Sequence, residues 1–289
     1  MLNATVYIRN SAHRLRATAA GGFSLVELLV VIAVIGVLSS LLLPTLSRAH
    51  SKGQSAACLN HLRQLAIATQ LYANDWQGSL PYNLGAADTK NAVRYGSFRN
   101  WANNVMSWEL DEDNTNTTWL AKGGLGPYLG GNSSIFRCPA DRAVSDVQRD
   151  TGWTRRVRSY SMNAMIGNAG EFSYDGYNVN NPRYTQFFKE ADVPVPARIF
   201  VFIEEHPDSI NDGYFLNRLW QREWFDLPAS WHTDSANLTF ADGHAESHRW
   251  IGESTRPAAR PDAARLPFAV TEDAAADFDW LMARTTVVR

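Results

Sequence analysis

The chain has 289 residues, a hydrophobic fraction of 45%, and 27 Lys and Arg against 29 Asp and Glu, for a formal net charge of −2. That length fits one ordinary domain with appendages or two small domains, while the composition argues against whole-chain disorder and a polytopic membrane protein. Balanced charge without a long basic run argues against nucleic acid as a partner, and two cysteines exclude a disulfide-rich scaffold or a four-cysteine zinc site.

The N-terminus departs from these averages. Between Ala17 and Ser47 the only formally charged residue is Glu27. Within that stretch Phe23–Leu43 is dominated by Leu, Val and Ile. At the helical rise it reaches about 30 Å, the thickness of a bilayer's hydrocarbon core. A buried core helix would normally be shorter and carry a polar face. A secretory signal peptide would have an apolar region of about 7–15 residues before a small-residue cleavage site. Here the run is longer and amphipathic sequence follows directly, so the segment is expected to stay attached as a single membrane span. Arg9, Arg14 and Arg16 precede it, and Arg48 and Lys52 follow, a weak charge bias for orientation.

Glu27 is the most informative residue of the span. A carboxylate deep in hydrocarbon costs about 2.5–3.5 kcal/mol on insertion scales, so it is a functional candidate unless it reaches water or protonates.

Gly22-Phe23-Ser24-Leu25-Val26-Glu27, running into the apolar helix, resembles the class III signal of type IV pilins and type II secretion pseudopilins. The resemblance implies cleavage by a prepilin peptidase between Gly22 and Phe23, with N-methylation of Phe23. It makes residues 1–22 a removable basic leader and gives Glu27 an assembly role, in which its carboxylate pairs with the new α-ammonium of a neighbouring subunit. Each charge alone is costly in oil; paired, they offset one another and fix register. The implied partners are the peptidase, other pilin-like subunits, an inner-membrane assembly platform and the lipid bilayer. The implied location is the inner membrane, single-pass, with the head in the periplasm.

After the span (residues 23–43), Pro44 removes one helical hydrogen bond and predicts a bend. Residues 44–75 read as the amphipathic half of the same helix. Leu59, Leu62, Leu65, Ala66, Thr69 and Tyr72 recur at three- and four-residue spacing, which gives one buried stripe. Asn74, Asp75, Gly78 and Pro81 end it.

Residues 76–289 read as a globular head. Asn103–Thr118 is expected as an exposed loop, acidic around Glu109–Asp113. Strands are expected at Val157–Met165 and Arg198–Glu204. The clearest hairpin is Asn237–Ala241 and His244–Trp250 around Asp242-Gly243, a dipeptide suited to a two-residue type I′ turn. That register places Leu238, Phe240, Ala245 and Ser247 on one face and Thr239, His244, Glu246 and His248 on the other. A short helix is expected around Asp273–Ala283, with Phe278, Leu281 and Met282 docking on the head. A long helix over an antiparallel sheet is an α+β arrangement, which is also the pilin-like architecture, here with large loop insertions.

His232, nine intervening residues and then Asp242-Gly243 resemble the H-x9-DG signature of a group of pilin-like proteins that carry the same N-terminal signal. Arg158-Ser159-Tyr160-Ser161-Met162-Asn163 and Phe136-Arg137-Cys138-Pro139 are similar to shorter blocks of that group.

Several sets of residues invite chemistry. Cys58 and Cys138, once exported, would meet an oxidising compartment. A disulfide between them would close a loop of about 80 residues, worth about 4–5 kcal/mol in the chain-entropy model. Two separate buried thiols are the alternative. His232, Asp242, His244, Glu246 and His248 could form a metal site or a catalytic pair, against the simpler reading of a solvated strand face. Glu204–Gly213 concentrates oxygen donors around a glycine, which suits calcium or an ordinary Asx-rich turn. Arg149, Arg155, Arg156 and Arg158 read as a solvated basic loop. Ten tryptophans and ten tyrosines supply core, and any exposed rings could bind sugars or subunits. No P-loop, dinucleotide fingerprint or nucleophile elbow is present.

The leading expectation is a non-enzymatic, prepilin-like structural subunit of a type II secretion pseudopilus or type IV pilus-like filament, with no required cofactor. The alternatives are an anchored module whose aromatic head binds polysaccharide, and an anchored hydrolase using the His232/Asp242 region.

Overall fold

The computed structural model describes residues 24–289. The expected leader and the Gly22–Phe23 junction lie outside the described residues. In chain order the described residues form α1 (Leu25–Asp75), α2 (Ala86–Arg94), α3 (Thr117–Lys122), α4 (Asp146–Asp150), β1 (Tyr160–Asn163), β2 (Ser173–Tyr174), β3 (Tyr177–Asn178) and β4 (Asn181–Thr185). They continue through β5 (Phe200–Glu204), β6 (Tyr214–Phe215), β7 (Asn217–Arg218), β8 (Glu223–Trp224), β9 (Ser235–Phe240), β10 (Ala245–Arg249), β11 (Phe268–Ala269) and α5 (Ala275–Met282). This is an α+β, pilin-like fold: an N-terminal apolar helix followed by a head of mixed sheets.

Two compact units divide the chain, one ending at Arg48 and the other Ala49–Arg289, and α1 contributes to both. In the first unit, Leu25–Leu43 is long and apolar enough to cross a membrane. Every side chain from Leu25 to Leu43 is exposed there, so the described residues of this unit supply no apolar partner for the run. α1 is helical through position 44.

In the second unit, α1 from Ala49 onward buries a stripe made of Cys58, Leu62, Leu65, Ala66, Thr69 and Tyr72. Leu59, expected on that stripe, is only half-buried, and Cys58 takes its place. The helix ends at Asp75, where Gln77 and Gly78 adopt positive φ and the Gly78 amide donates to the Ala73 carbonyl at 2.8 Å. This is a left-handed termination in which glycine carries no Cβ penalty.

The principal sheet has the order β10-β9-β5-β1-β6, antiparallel except for β1–β6. Two three-stranded sheets, β2-β3-β4 and β11-β8-β7, complete the head. One hydrophobic cluster joins the buried stripe of α1 to Trp101, Phe136, Tyr160, Met162 and Val201. A second joins Phe200, Ile203, Leu238 and Phe240 to Trp224, Trp250, Phe278 and Leu281. Both faces of the sheet are therefore covered, which explains why Phe200–Ile203 is apolar without alternation. A register shift between Phe200 and Phe202 inserts Val201 as an extra residue opposite β9. α5 docks through Phe278, Leu281 and Met282.

Three sequence expectations need correction. Within Asn103–Thr118, Asn103 to Met106 and Asn114 are buried. Their amides replace the missing ladder bonds: Asn104 Nδ2 donates to the carbonyls of Asp113 (2.8 Å) and Asn116 (2.9 Å), and Asn114 Nδ2 to that of Glu109 (2.9 Å). Of the four arginines read as a solvated loop, Arg149 and Arg155 are exposed but Arg156 and Arg158 are buried. The hairpin closes one residue later than a two-residue turn would place it. Ala245 pairs with Thr239 and Glu246 with Leu238, leaving a three-residue loop Ala241-Asp242-Gly243. The Phe240 carbonyl accepts from the Gly243 amide at 2.9 Å and Gly243 sits at φ +89°, a turn closed by a glycine bulge.

Candidate functional site

Residues of the N-terminal motif form a local structure of their own. Ser24 precedes α1, and its backbone amide and hydroxyl donate to Glu27 Oε2 at 2.9 and 2.8 Å. The Glu27 amide donates back to Ser24 Oγ at 3.2 Å. This reciprocal pair is a capping box, which satisfies two amides that the first turn leaves without helical partners. The Ser-x-x-Glu spacing is the local sequence signal of this cap. Gly22 and Phe23 lie outside the described residues.

In the head, four residues distant in sequence converge. Cys58 on α1 and Cys138, just after Phe136, form a disulfide with Cα atoms 5.1 Å apart. It ties α1 to the Phe136–Arg137 segment, and both cysteines are fully buried. Beside it, His232 Nε2 lies 3.4 Å from Cys138 Sγ and 3.1 Å from Glu204 Oε1. Glu204 ends β5, and its second oxygen accepts from the Asn237 amide at 2.8 Å. His232 is held by a tight turn in which Thr233 and Asp234 adopt positive φ and the His232 amide donates to the Ser235 carbonyl at 3.2 Å. His232 Nδ1 is buried and has no hydrogen-bond partner among the described residues.

The H-x9-DG residues therefore do separate work. His232 enters the core. Asp242 is exposed at the hairpin turn, where His244 Nδ1 bonds its Oδ1 at 2.6 Å. The structure does not bring His232 and Asp242 together. The shifted register also redistributes the histidine face expected from alternation. His244 stacks on Phe240 at 4.3 Å, and His248 stacks on Trp280 at 3.5 Å. Burial lowers the His248 pKa to about 4, so the ring is neutral over the physiological range.

The oxygen donors of Glu204–Gly213 likewise diverge. Glu204 serves the cysteine cluster. Asp208 accepts from Trp108 Nε1 (2.8 Å) and from the Asp262 and Ala264 amides. Asp212 accepts from the Tyr214 amide at 2.9 Å. Glu205 and Asp212 instead belong to a buried cluster around Arg158, whose guanidinium donates to the Tyr160 carbonyl (2.7 Å), Ser161 Oγ (2.9 Å) and the Asp212 carbonyl. Burial raises the Glu205 pKa to about 8, against the hydrogen bond from Ser161 and the charge of Arg158, and raises Asp212 to about 6.

Of the tryptophans, Trp101, Trp224 and Trp250 are fully buried, and Trp76 and Trp220 are exposed. Trp76 stacks on Tyr72 at 5.6 Å, and both line a cavity of about 440 Å³ with Tyr82, Tyr128, Arg99 and Lys122.

Residues 18–43 match the family model for the prokaryotic N-terminal methylation motif. The chain thus carries a prepilin-type signal joined to a membrane-anchoring helix, and such a signal implies processing by a peptidase and assembly with other pilin-like subunits. No curated protein and no solved structure matches the chain.

Proposed function

We propose that this chain is a prepilin-like structural subunit, cut between Gly22 and Phe23, N-methylated at Phe23, and assembled through its helix into a type II secretion pseudopilus or a type IV pilus-like filament. Its anchor lies in the inner membrane and its head in the periplasm. The peptidase and an inner-membrane assembly platform handle it before its neighbours do. The observation that carries this reading is the methylation motif at residues 18–43, set on an apolar helix. An exposed run from Leu25 to Leu43 needs lipid or other helices around it, and the helix of a filament meets both in turn. A head held together by a helix-to-loop disulfide suits a load-bearing subunit, and the reading assigns no catalytic residue. Mass spectrometry of the membrane-purified chain tests it. An N-methylated phenylalanine at position 23 is the expected N-terminus; an unprocessed Met1 overturns the proposal.

A second reading is favoured by the cavity beside Trp76. Stacked aromatic rings lined with an arginine and a lysine suit a sugar ring, particularly an acidic one. On this reading the anchored head captures polysaccharide. Retention of the chain on an acidic glycan matrix, lost in Trp76→Ala, would support it.

A further inference from the structure

The cluster of Cys58, Cys138, Glu204 and His232 contains more than a disulfide needs. Its four donor atoms lie within 4.8 Å of one another, and all four residues are buried. They come from α1, the segment after Phe136, the end of β5 and the turn before β9. A disulfide requires neither a carboxylate nor an imidazole beside it, and burying the Glu204 carboxylate is costly. Its oxygens lie against His232 Nε2 at 3.1 Å and the Asn237 amide at 2.8 Å.

Two thiolates, an imidazole and a carboxylate are a zinc donor set. With Zn–S near 2.3 Å and Zn–N or Zn–O near 2.0–2.1 Å, a tetrahedral site has S···N edges of about 3.6 Å and N···O edges of about 3.3 Å. The observed Cys138 Sγ···His232 Nε2 and His232 Nε2···Glu204 Oε1 separations are 3.4 and 3.1 Å, each within about 0.2 Å of those edges. The edge between the sulfurs must open to about 3.8 Å, which reduction permits. A further donor is already aimed at sulfur: the Ala140 amide points to Cys138 Sγ at 3.4 Å. Such a bond favours the thiolate form that metal binding requires.

We propose that the reduced head binds one Zn²⁺ through Cys58 Sγ, Cys138 Sγ, His232 Nε2 and Glu204 Oε1, so that zinc and the disulfide are alternative clasps at the same junction. Binding displaces the two thiol protons. Conversion to the disulfide needs a two-electron acceptor, by class a protein or small-molecule disulfide. The sulfurs of Cys58 and Cys138 bond, the acceptor's S–S bond breaks to give two thiols by taking up two protons, and Zn²⁺ leaves. Zinc would hold α1 to the head before oxidation. Among the described residues His232 Nδ1 has no acceptor, so the outer hydrogen bond that commonly adds 10–100-fold in metal affinity is missing there, and binding weaker than in a fully braced site follows. This inference does not depend on the filament reading.

The test uses the full chain in detergent, reduced with a phosphine, stripped with a chelator and titrated with Zn²⁺ and, in parallel, Co²⁺. One metal per reduced chain is expected, with thiolate-to-cobalt charge-transfer and tetrahedral d–d absorption, and none on the oxidised chain. Glu204→Gln and His232→Ala should each weaken binding at least 10-fold. If His232→Ala fails to fold, Glu204→Gln decides, provided its circular dichroism matches the parent. Absence of stoichiometric metal on the reduced chain, equal uptake by the oxidised chain, or parental affinity in folded Glu204→Gln would each overturn the proposal.

Discussion

Ser24 Oγ lies 2.8 Å from Glu27 Oε2, so the acid of the N-terminal motif has an intramolecular partner as well as the intersubunit one implied by its resemblance to prepilins. The two roles separate by substitution. Glu27→Gln keeps an acceptor for the Ser24 amide but removes the charge, whereas Glu27→Ala removes both. If charge pairing drives assembly, both variants should stay in the membrane fraction and disappear from the sheared filament fraction on immunoblots. Filament yield preserved in Glu27→Gln and lost in Glu27→Ala would assign the residue to capping instead. Ser24→Ala should cost the helix start about 0.5–2 kcal/mol and reduce yield only slightly.

At the hairpin, glycine matters more than the aspartate beside it. Gly243 sits at φ +89°, and a Cβ there would come within 3.3 Å of Gln70 Nε2. Gly243→Ala should therefore destabilise the head by about 1–2 kcal/mol, from the left-handed backbone penalty. Asp242 is exposed and bonded to an exposed histidine, so Asp242→Asn should change stability by no more than about 0.5 kcal/mol. Urea unfolding of the two variants against the parent checks the ordering, and equal losses would contradict it.

What could be read in advance follows from which interactions are local. The apolar span, the stripe Leu62, Leu65, Ala66, Thr69 and Tyr72, the strand at Phe200–Glu204 and the docking face Phe278, Leu281 and Met282 all advertise themselves through periodicity or continuous hydrophobicity. The Ser24–Glu27 cap was equally local but was overshadowed by the motif around it. The hairpin register was not legible because Asp-Gly serves both a two-residue turn and a glycine bulge. Arg156 and Arg158 looked solvated because charge usually is; their burial depends on carbonyls such as those of Pro207 and Asp212, more than fifty residues away. Likewise, the approach of Glu204 and His232 to the cysteines is purely tertiary. No spacing along the chain encodes it.

Removing the Cys58–Cys138 bond should weaken the head measurably. Its sequence separation of 80 gives about 4–5 kcal/mol in the chain-entropy model, and losses measured for native disulfides run about 2–5 kcal/mol. Cys58→Ser/Cys138→Ser, unfolded in urea, should lose stability in that range with little change in the native circular dichroism. Reduction of the parent with a chelator present should give the same loss. A double variant as stable as the oxidised parent would mean that packing alone holds α1 on the head.

The Arg158 cluster predicts an unusual pH response. Glu205 has its folded pKa raised to about 8, above the ordinary value of 4.5 for the unfolded chain. The folded state therefore holds this proton more tightly than the unfolded state. Its contribution is fully present below about pH 4.5 and is lost as pH rises through about 8. Asp212, raised to about 6, acts in the same direction over a lower window, from its ordinary 3.8 upward. The Arg158 guanidinium, itself lowered to about 10 by burial, stays charged through both windows and moderates the loss without reversing it. Glu205→Gln mimics the protonated acid. Its melting temperature should match the parent near pH 4.5 and exceed it near pH 8.5. Parallel stability curves for parent and variant across that range would show that Glu205 is ionised and adequately paired in the fold.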